Sequence, residues 1–196
     1  MKYLRDATWE DVFDGWRKRE GSNPDWIRVA TDVKGWKDWD EWRHFTANHL
    51  RLPARAWQIF QFTQPSEEIP RMLLGPYTGW QSRVANKHET TFEDLLADPQ
   101  QKKEWESNAG MMELIKHLPF ATQMIGFLRD DGRITCLEGH HRSLAITFAK
   151  QQGREIDFSK TPFTIALAAL PEAEAPLLDR VLARGSSKNP PGVLPV

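Results

Sequence analysis

This sequence of 196 residues has a single cysteine, no long apolar run and almost no net charge. Its one cysteine, Cys136, cannot form an internal disulfide, so the fold must depend on a buried core, which a chain of this length can build. The formal net charge is −1, which gives no general attraction to nucleic acid or membranes. The longest aliphatic run, residues 165–170, is too short to span a bilayer. We therefore expect a cytoplasmic protein without a membrane partner.

Tryptophan, in contrast, is abundant and unevenly distributed. Seven of the nine tryptophans lie at or before Trp57. In this region three segments, residues 8–21, 23–35 and 38–50, carry apolar residues at helical spacing between helix start and stop signals. Apolar stripes of this kind must pack against another surface. We predict that residues 1–54 form a helical region that packs on the rest of the chain.

Residues 55–184 combine strand and helix patterns, which predicts the α+β class. Four segments read as strands: residues 57–62, 123–129, 133–137 and 162–170. Helices are expected from Thr91 onward and at residues 99–108, 111–117, 143–150 and 172–183. Residues 185–196 are rich in glycine, serine and proline, and we predict a mobile tail there.

The most informative segment is the junction between the strand at 133–137 and the helix that follows it. It reads Glu138, Gly139, His140, His141, Arg142 and Ser143. Glycine allows close approach of a ligand to the backbone, and the first amides of a helix lack intrahelical acceptors. A bound phosphate would receive hydrogen bonds from those amides, from the Arg142 guanidinium and from the Ser143 hydroxyl. The residues therefore predict a phosphate site, with Arg142 as its main side-chain anchor.

Glu138 needs a separate explanation, because a carboxylate repels a phosphate. A magnesium ion or a substrate proton facing Glu138 would remove the conflict, which makes it a candidate metal ligand or general base. Two alternatives stay open from the residues alone. The charges at the junction are solvated, or Arg142 ties the helix to a neighbouring carboxylate.

The order strand, acidic residue, Gly-His-His-Arg and helix, preceded by an Asp-Gly hairpin, resembles the ParB/sulfiredoxin superfamily over about residues 57–170. The local sequence is most similar to the Asp-Gly-His-His-Arg box of the ADP-dependent free serine kinases, with Glu138 in place of the aspartate. The resemblance implies a ParB/sulfiredoxin-like mixed-sheet domain whose box binds nucleotide phosphates. It also implies a catalytic glutamate after the first strand of that domain, and we take Glu68 as the candidate.

The resemblance further implies a nucleotide-binding protein, a phosphotransferase or nucleotide hydrolase that uses ATP or ADP with Mg²⁺ and an unidentified small-molecule phosphate acceptor. His140 stands where sulfiredoxins have their catalytic cysteine, so sulfinic-acid reduction is not implied. The ParB box, Gly-Glu-Arg-Arg, matches at Arg142 but not at His140 or His141. A ParB-like nuclease or DNA-binding adaptor is therefore a less favoured alternative. A third alternative is a non-catalytic interaction module that docks through its tryptophan-rich region.

A second segment, residues 75–83, has many hydrogen-bonding groups but neither helix nor strand periodicity. Such loops often lie at functional sites. Tyr77, Trp80 and Arg83 would then form a wall of the nucleotide pocket. The alternative is a packed surface loop.

Overall fold

Five β-strands form one mixed sheet with helices on both faces in the computed structural model, which describes residues 1–189. The strands are β1 (Lys2–Ala7), β2 (Trp57–Gln61), β3 (Thr122–Arg129), β4 (Ile134–Glu138) and β5 (Phe163–Leu170). Their order is β1-β2-β5-β3-β4; β3 and β5 are parallel, and the other neighbours are antiparallel. The α+β class is thus confirmed, and β2 to β5 match the predicted strands to within one residue at each end.

Three helices follow β1, and their starts lie where the sequence predicts them. They are α1 (Trp9–Glu20), α2 (Pro24–Arg28), which continues as a π-helical turn (Val29–Val33), and α3 (Trp39–His49). Thr8 and Asp11 form a reciprocal capping box, with both backbone-to-side-chain hydrogen bonds at 3.1 Å. Asn23 and Asp38 cap α2 and α3 through their side-chain oxygens.

Strand β1 corrects the prediction for residues 1–54, which places only helices there. It pairs antiparallel with β2, from Lys2 opposite Gln61 to Ala7 opposite Trp57. Its side chains are exposed, apart from the half-buried Ala7, so the strand lacks the alternation of apolar and polar residues that marks a half-buried strand. The N-terminal region therefore contributes an edge strand to the sheet as well as helices.

Seven further α-helices lie within residues 1–189. They are α4 (Pro65–Glu68), α5 (Thr78–Gln81), α6 (Phe92–Ala97), α7 (Pro99–Glu106), α8 (Ala109–Lys116), α9 (His140–Gln151) and α10 (Pro176–Arg184). Helix α9 begins at His140 rather than at the predicted Ser143, so both histidines lie inside its first turn. Gly110 lies within α8 and does not precede it.

The sheet separates two hydrophobic layers because successive strand residues point to opposite faces. On one face Met124, Cys136 and Ile165 pack with a cluster that includes α6, α8 and α9. On the other face Ile125, Leu137 and Ala166 pack with α1, α3 and α10. The tryptophan-rich helices therefore cover one face of the sheet.

The predicted mobile tail at 185–196 is described only as far as Asn189. Within the described part, the Trp36 Nε1–H donates to the Ser186 carbonyl at 2.8 Å, and the Lys188 N–H donates to the Lys34 carbonyl at 2.9 Å. These bonds connect residues 186–188 to the N-terminal helices, and the mobility of the tail stays a prediction. Residues 190–196 lie outside the described residues. Over residues 1–189, no helix is both long and apolar enough to cross a membrane.

Candidate functional site

A cavity of about 580 Å³ opens at the carboxyl end of β4, between the two helical layers. One wall consists of the first turn of α9 and the loop that carries α5. The opposite wall consists of the end of α1, the α2 segment and α3. This volume lies within the range of small-molecule sites, about 300–1,000 Å³. Six aromatic side chains line it: Trp16, Trp26, Trp42, Phe45, Tyr77 and Trp80.

Gly139 shapes the turn between β4 and α9. Its φ of +110° lies in the region that favours glycine, and a Cβ there would lie 2.7 Å from the Sδ of Met124. Because Gly139 is the N-cap residue and has no side chain, α9 begins without a side-chain cap. The first amides of α9 therefore offer unpaired donors at the cavity wall.

His140 is buried and serves as a hydrogen-bond acceptor for the protein itself. Its Nε2 accepts the Gly75 N–H at 2.9 Å, which assigns the ring proton to Nδ1, 3.7 Å from the Cys136 Sγ. Its ring stacks on Trp80 with centroids 4.9 Å apart. Burial lowers the pKa of His140 to about 3, so the imidazole is neutral at physiological pH. His140 thus fastens the loop at residue 75 to α9 and supplies no positive charge.

This contact predicts that Gly75→Ala destabilises the protein. A Cβ at residue 75 would overlap the Cys136 carbonyl oxygen and lie 2.7 Å from the His140 Nε2. We expect a loss of about 1–3 kcal/mol in the free energy of unfolding, measured by urea denaturation. Gly79→Ala is the matched control in the same loop: its Cβ would meet nothing within 4 Å, and alanine favours α5. Equal stability of the two variants would contradict the close contact.

Glu138, which is buried, forms an ion pair with the half-buried Arg142, four residues further along the chain. Arg142 also donates to the Thr122 hydroxyl, and the Arg19 Nη2 lies 3.5 Å from the second carboxylate oxygen of Glu138. Burial raises the pKa of Glu138, whereas the guanidinium groups of Arg142 and Arg19 favour its ionised form. The carboxyl group that pairs with Arg142 at the positive end of α9 is thus that of Glu138. This geometry matches the open alternative in which Arg142 ties the helix to a carboxylate.

The same contacts bear on the predicted Mg²⁺ site. Both oxygens of Glu138 already contact guanidinium groups, so this residue does not fit the role of a magnesium ligand. In the part of the chain that the structure describes, no three His, Cys, Asp or Glu side chains are grouped to hold a metal ion. A magnesium ion that arrives with the phosphates of a nucleotide stays a prediction.

His141 and Ser143 differ sharply in accessibility. Ser143 is fully buried, and its hydroxyl contacts the Met124 Sδ at 3.4 Å, so it does not face a ligand. His141 is exposed at the cavity wall, between Trp80 and Trp26 at ring distances of 5.3 and 6.4 Å. Desolvation lowers the pKa of His141, which keeps the imidazole neutral at pH 7. Among the side chains of residues 138–143, His141 is the most exposed, and Arg142 is half-buried at the cavity wall.

Glu68, the proposed catalytic base, is not brought to the cavity. One of its oxygens accepts the N–H groups of Thr63 and Gln64 at 2.8 Å each, and the other pairs with the amino group of Met1. These contacts stabilise the turn before α4. A catalytic role for Glu68 stays a prediction that no cavity contact supports.

The loop at residues 75–83 supplies part of the wall. Tyr77 lines the cavity, and its hydroxyl donates to the Leu137 carbonyl at 3.0 Å. Trp80 also lines it, although its ring is stacked between His140 and Trp105. Arg83 does not line the cavity; it pairs with Glu104 at 2.7 Å. Tyr77 and Trp80 thus lie in the cavity wall and Arg83 does not, and a nucleotide in this cavity stays a prediction.

The opposite wall contains charged residues that the sequence analysis misses. Four cationic side chains and two carboxylates line the cavity, an excess of two positive charges: Arg19, Lys34, Arg43, Arg142, Glu20 and Glu138. Burial lowers the pKa of Arg19, and burial together with the charge of Arg43 lowers that of Lys34. One signal could have found this wall: Arg19 and Arg43 follow Trp16 and Trp39 at helical spacing, inside apolar stripes.

No family model, curated protein or solved structure matches this chain. The resemblance to the ParB/sulfiredoxin superfamily therefore rests on the box and on the order of the elements.

Proposed function

We propose that this chain binds a nucleotide, with its phosphates at the start of α9 and its base against the aromatic wall. The observation that carries the proposal is a single cavity that combines aromatic walls, an uncapped helix start and an excess of two positive charges. Apolar walls with a few convergent polar groups are typical of cofactor sites. We also propose a ParB/sulfiredoxin-like fold, which is supported by the Gly-His-His-Arg sequence after β4 and by the order of the elements.

The start of α9 suits the phosphates for two reasons. Its first amides have no side-chain cap, and the positive end of the helix dipole favours an anion. Arg19 adds a cation from the opposite wall, and His141 adds an accessible imidazole. Arg142 already pairs with the Glu138 carboxylate, so it can bind a phosphate only if its guanidinium contacts the phosphate and Glu138 at the same time.

The base is best placed on Trp26. Trp16 and Trp42 are buried, and both faces of Trp80 are covered, whereas Trp26 is only half-buried. Stacking of a base on an aromatic ring is worth about 1–3 kcal/mol and does not depend on the identity of the base. This arrangement supports ATP and ADP equally.

A phosphotransferase or nucleotide hydrolase reaction would also need a general base. Glu138 pairs with Arg142, and Glu20 pairs with Arg43 at 2.6 Å, so neither carboxylate is free. His141 is neutral and accessible, and no hydrogen-bond partner for its ring lies within residues 1–189. We therefore propose His141, in place of Glu138 or Glu68, as the base for any such reaction.

Arg19→Gln should weaken ADP binding roughly tenfold, because the variant removes the partly desolvated cation that lines the cavity wall opposite the start of α9. Isothermal titration calorimetry with ADP and ATP, with Mg²⁺ and again with EDTA, provides the measurement. Lys18→Gln is the matched control in the same helix, since Lys18 is exposed and lies outside the cavity. Equal losses in both variants would point to a nonspecific effect of charge.

The same titrations test the other candidate functions. Failure of ADP and ATP to bind at millimolar concentration would overturn the nucleotide proposal. Tight, salt-dependent binding of oligonucleotides would favour the nuclease or DNA-adaptor alternative. Binding of neither would favour the non-catalytic interaction module.

A further inference from the structure

Several hydrogen-bond donors on the α1 and α3 side of the cavity are buried without an acceptor. They are the Nε1 atoms of Trp16 and Trp42 and the Nε atoms of Arg19 and Arg43, and each belongs to a side chain that lines the cavity. Folded proteins pair most buried polar groups, and an unpaired one calls for a missing partner such as a water, an ion or a ligand. Four such donors on one wall indicate a partner rich in acceptors.

Three of these donors belong to one cluster, in which the Trp16 and Trp42 rings pack around the Arg43 guanidinium. The Arg43 Cζ lies 3.8 Å from the ring centroid of Trp42 and 4.6 Å from that of Trp16. Arg43 is 9% exposed, and its hydrogen bond within the described chain goes to the Glu20 Oε2 at 2.6 Å. The same oxygen also accepts the Trp39 Nε1–H at 3.2 Å. Glu20 is thus already shared, which leaves the remaining donors without an acceptor.

Positive charge is in excess at the same place. Lys34 lines the cavity near Arg43, and the charge of Arg43 contributes to its lowered pKa. The negative charge of Glu20 neutralises the charge of Arg43 and leaves that of Lys34 uncompensated. Lys34 has no ion-pair partner in the region that the structure describes. A group that brings both negative charge and acceptor oxygens would satisfy this cation and the indole N–H groups together.

We propose that Trp16, Lys34, Trp42 and Arg43, which we call the Arg43 wall, form a second anion subsite that binds an oxyanion group, a carboxylate or a phosphate. This subsite lies across the cavity from the start of α9. The inference rests on the proposed function and deepens it: the cavity takes two separate oxyanions, one at each wall. The unpaired donors lie beneath the cavity surface, so the oxyanion reaches them when the indole and guanidinium groups rotate.

Indole N–H resonances of the full chain give a direct test. The ¹H–¹⁵N spectrum should contain nine indole signals, and Trp16→Phe and Trp42→Phe assign two of them. Titrations use inorganic phosphate, acetate and ADP as separate probes. We expect saturable shifts of the Trp16 and Trp42 signals with phosphate or acetate. The Trp105 Nε1 is equally unpaired but does not line the cavity, so its signal should stay in place.

Affinity provides the second measurement. Trp42→Phe keeps an aromatic ring but removes the donor, and it should weaken phosphate binding about tenfold when binding is measured from the shift of the Trp16 indole signal. Trp105→Phe, the matched control, should leave that affinity unchanged. If Trp42→Phe fails to fold, Trp16→Phe carries the same expectation. Absence of the Trp16 and Trp42 shifts at saturating phosphate and acetate would overturn the subsite, as would equal effects of the Trp42 and Trp105 substitutions.

These experiments distinguish a failure of the nucleotide proposal from a failure of the second subsite. If ADP binds but phosphate and acetate leave these two indole signals in place, the nucleotide proposal stays intact and the second subsite is removed. Phosphate or acetate that moves them while ADP does not bind supports the subsite and removes the nucleotide. Phosphate and acetate also distinguish the two sources of the oxyanion.

Discussion

A fragment that starts at Arg55 should not fold cooperatively. Residues 1–54 supply β1 and the helices that cover one face of the sheet, including large buried side chains: Trp9, Phe13, Trp16, Trp39 and Trp42. Burying each such side chain contributes about 1.5–3 kcal/mol, and together they rival the whole stability of a domain, about 5–15 kcal/mol. We expect residues 55–196 to lack a sharp thermal transition in circular dichroism and to bind a hydrophobic dye.

A shorter deletion separates the strand from the helices. A fragment that starts at Thr8 lacks only β1, whose side chains are mostly exposed, and should still melt cooperatively at a reduced temperature. A soluble fragment of residues 55–196 with a full-length-like transition would show instead that the N-terminal region is a dispensable appendage.

Arg142→Ala should destabilise the protein by about 3–5 kcal/mol. The variant leaves Glu138 in place, 5% exposed, without its closest guanidinium, and an unpaired buried charge is costly. Arg19, 3.5 Å away, can offset only part of this loss. Urea denaturation gives the change in stability, and titration with ADP of the same variant gives the change in affinity.

The double variant Glu138→Leu/Arg142→Met is the control, because it removes both charges and keeps similar volumes. It should recover much of the stability lost in the single variant. The phosphate-anchor prediction forecasts the opposite pattern for Arg142→Ala, with an unchanged melting transition and ADP binding weakened by one to two orders of magnitude. That result would overturn the structural role of Arg142 as the partner of Glu138.

The sequence predicts most of the fold because local signals specify most of its elements. Strands β2 to β5 alternate or form apolar runs, and capping residues such as Thr8, Asn23 and Asp38 mark helix starts. Strand β1 carries no such signal, because it is an exposed edge that only its pairing with β2 defines. The early start of α9 follows from Gly139 and from the Glu138–Arg142 pair, which spans the first turn.

The site was harder to predict, for a physical reason. The sequence shows that Glu138 and Arg142 are close together in the chain. It does not show whether these side chains contact a ligand or pair with each other, as they do in the structure. The opposite wall comes from Arg19, Lys34 and Arg43, about a hundred residues away in the chain, and tertiary packing alone brings it to the box. The sequence signal for this wall is a basic residue at helical spacing from tryptophans, as Arg19 is from Trp16 and Arg43 from Trp39.

Cys136, the single thiol of the chain, is fully buried beneath the box, and its Sγ lies 3.7 Å from the His140 Nδ1. Burial raises the pKa of this thiol, so it is unreactive while the native contacts persist. A thiol reagent can therefore reach it only when the loop at Gly75 separates from α9 or the whole domain opens. The rate at which a thiol reagent modifies Cys136 in the native protein therefore measures how often this region opens.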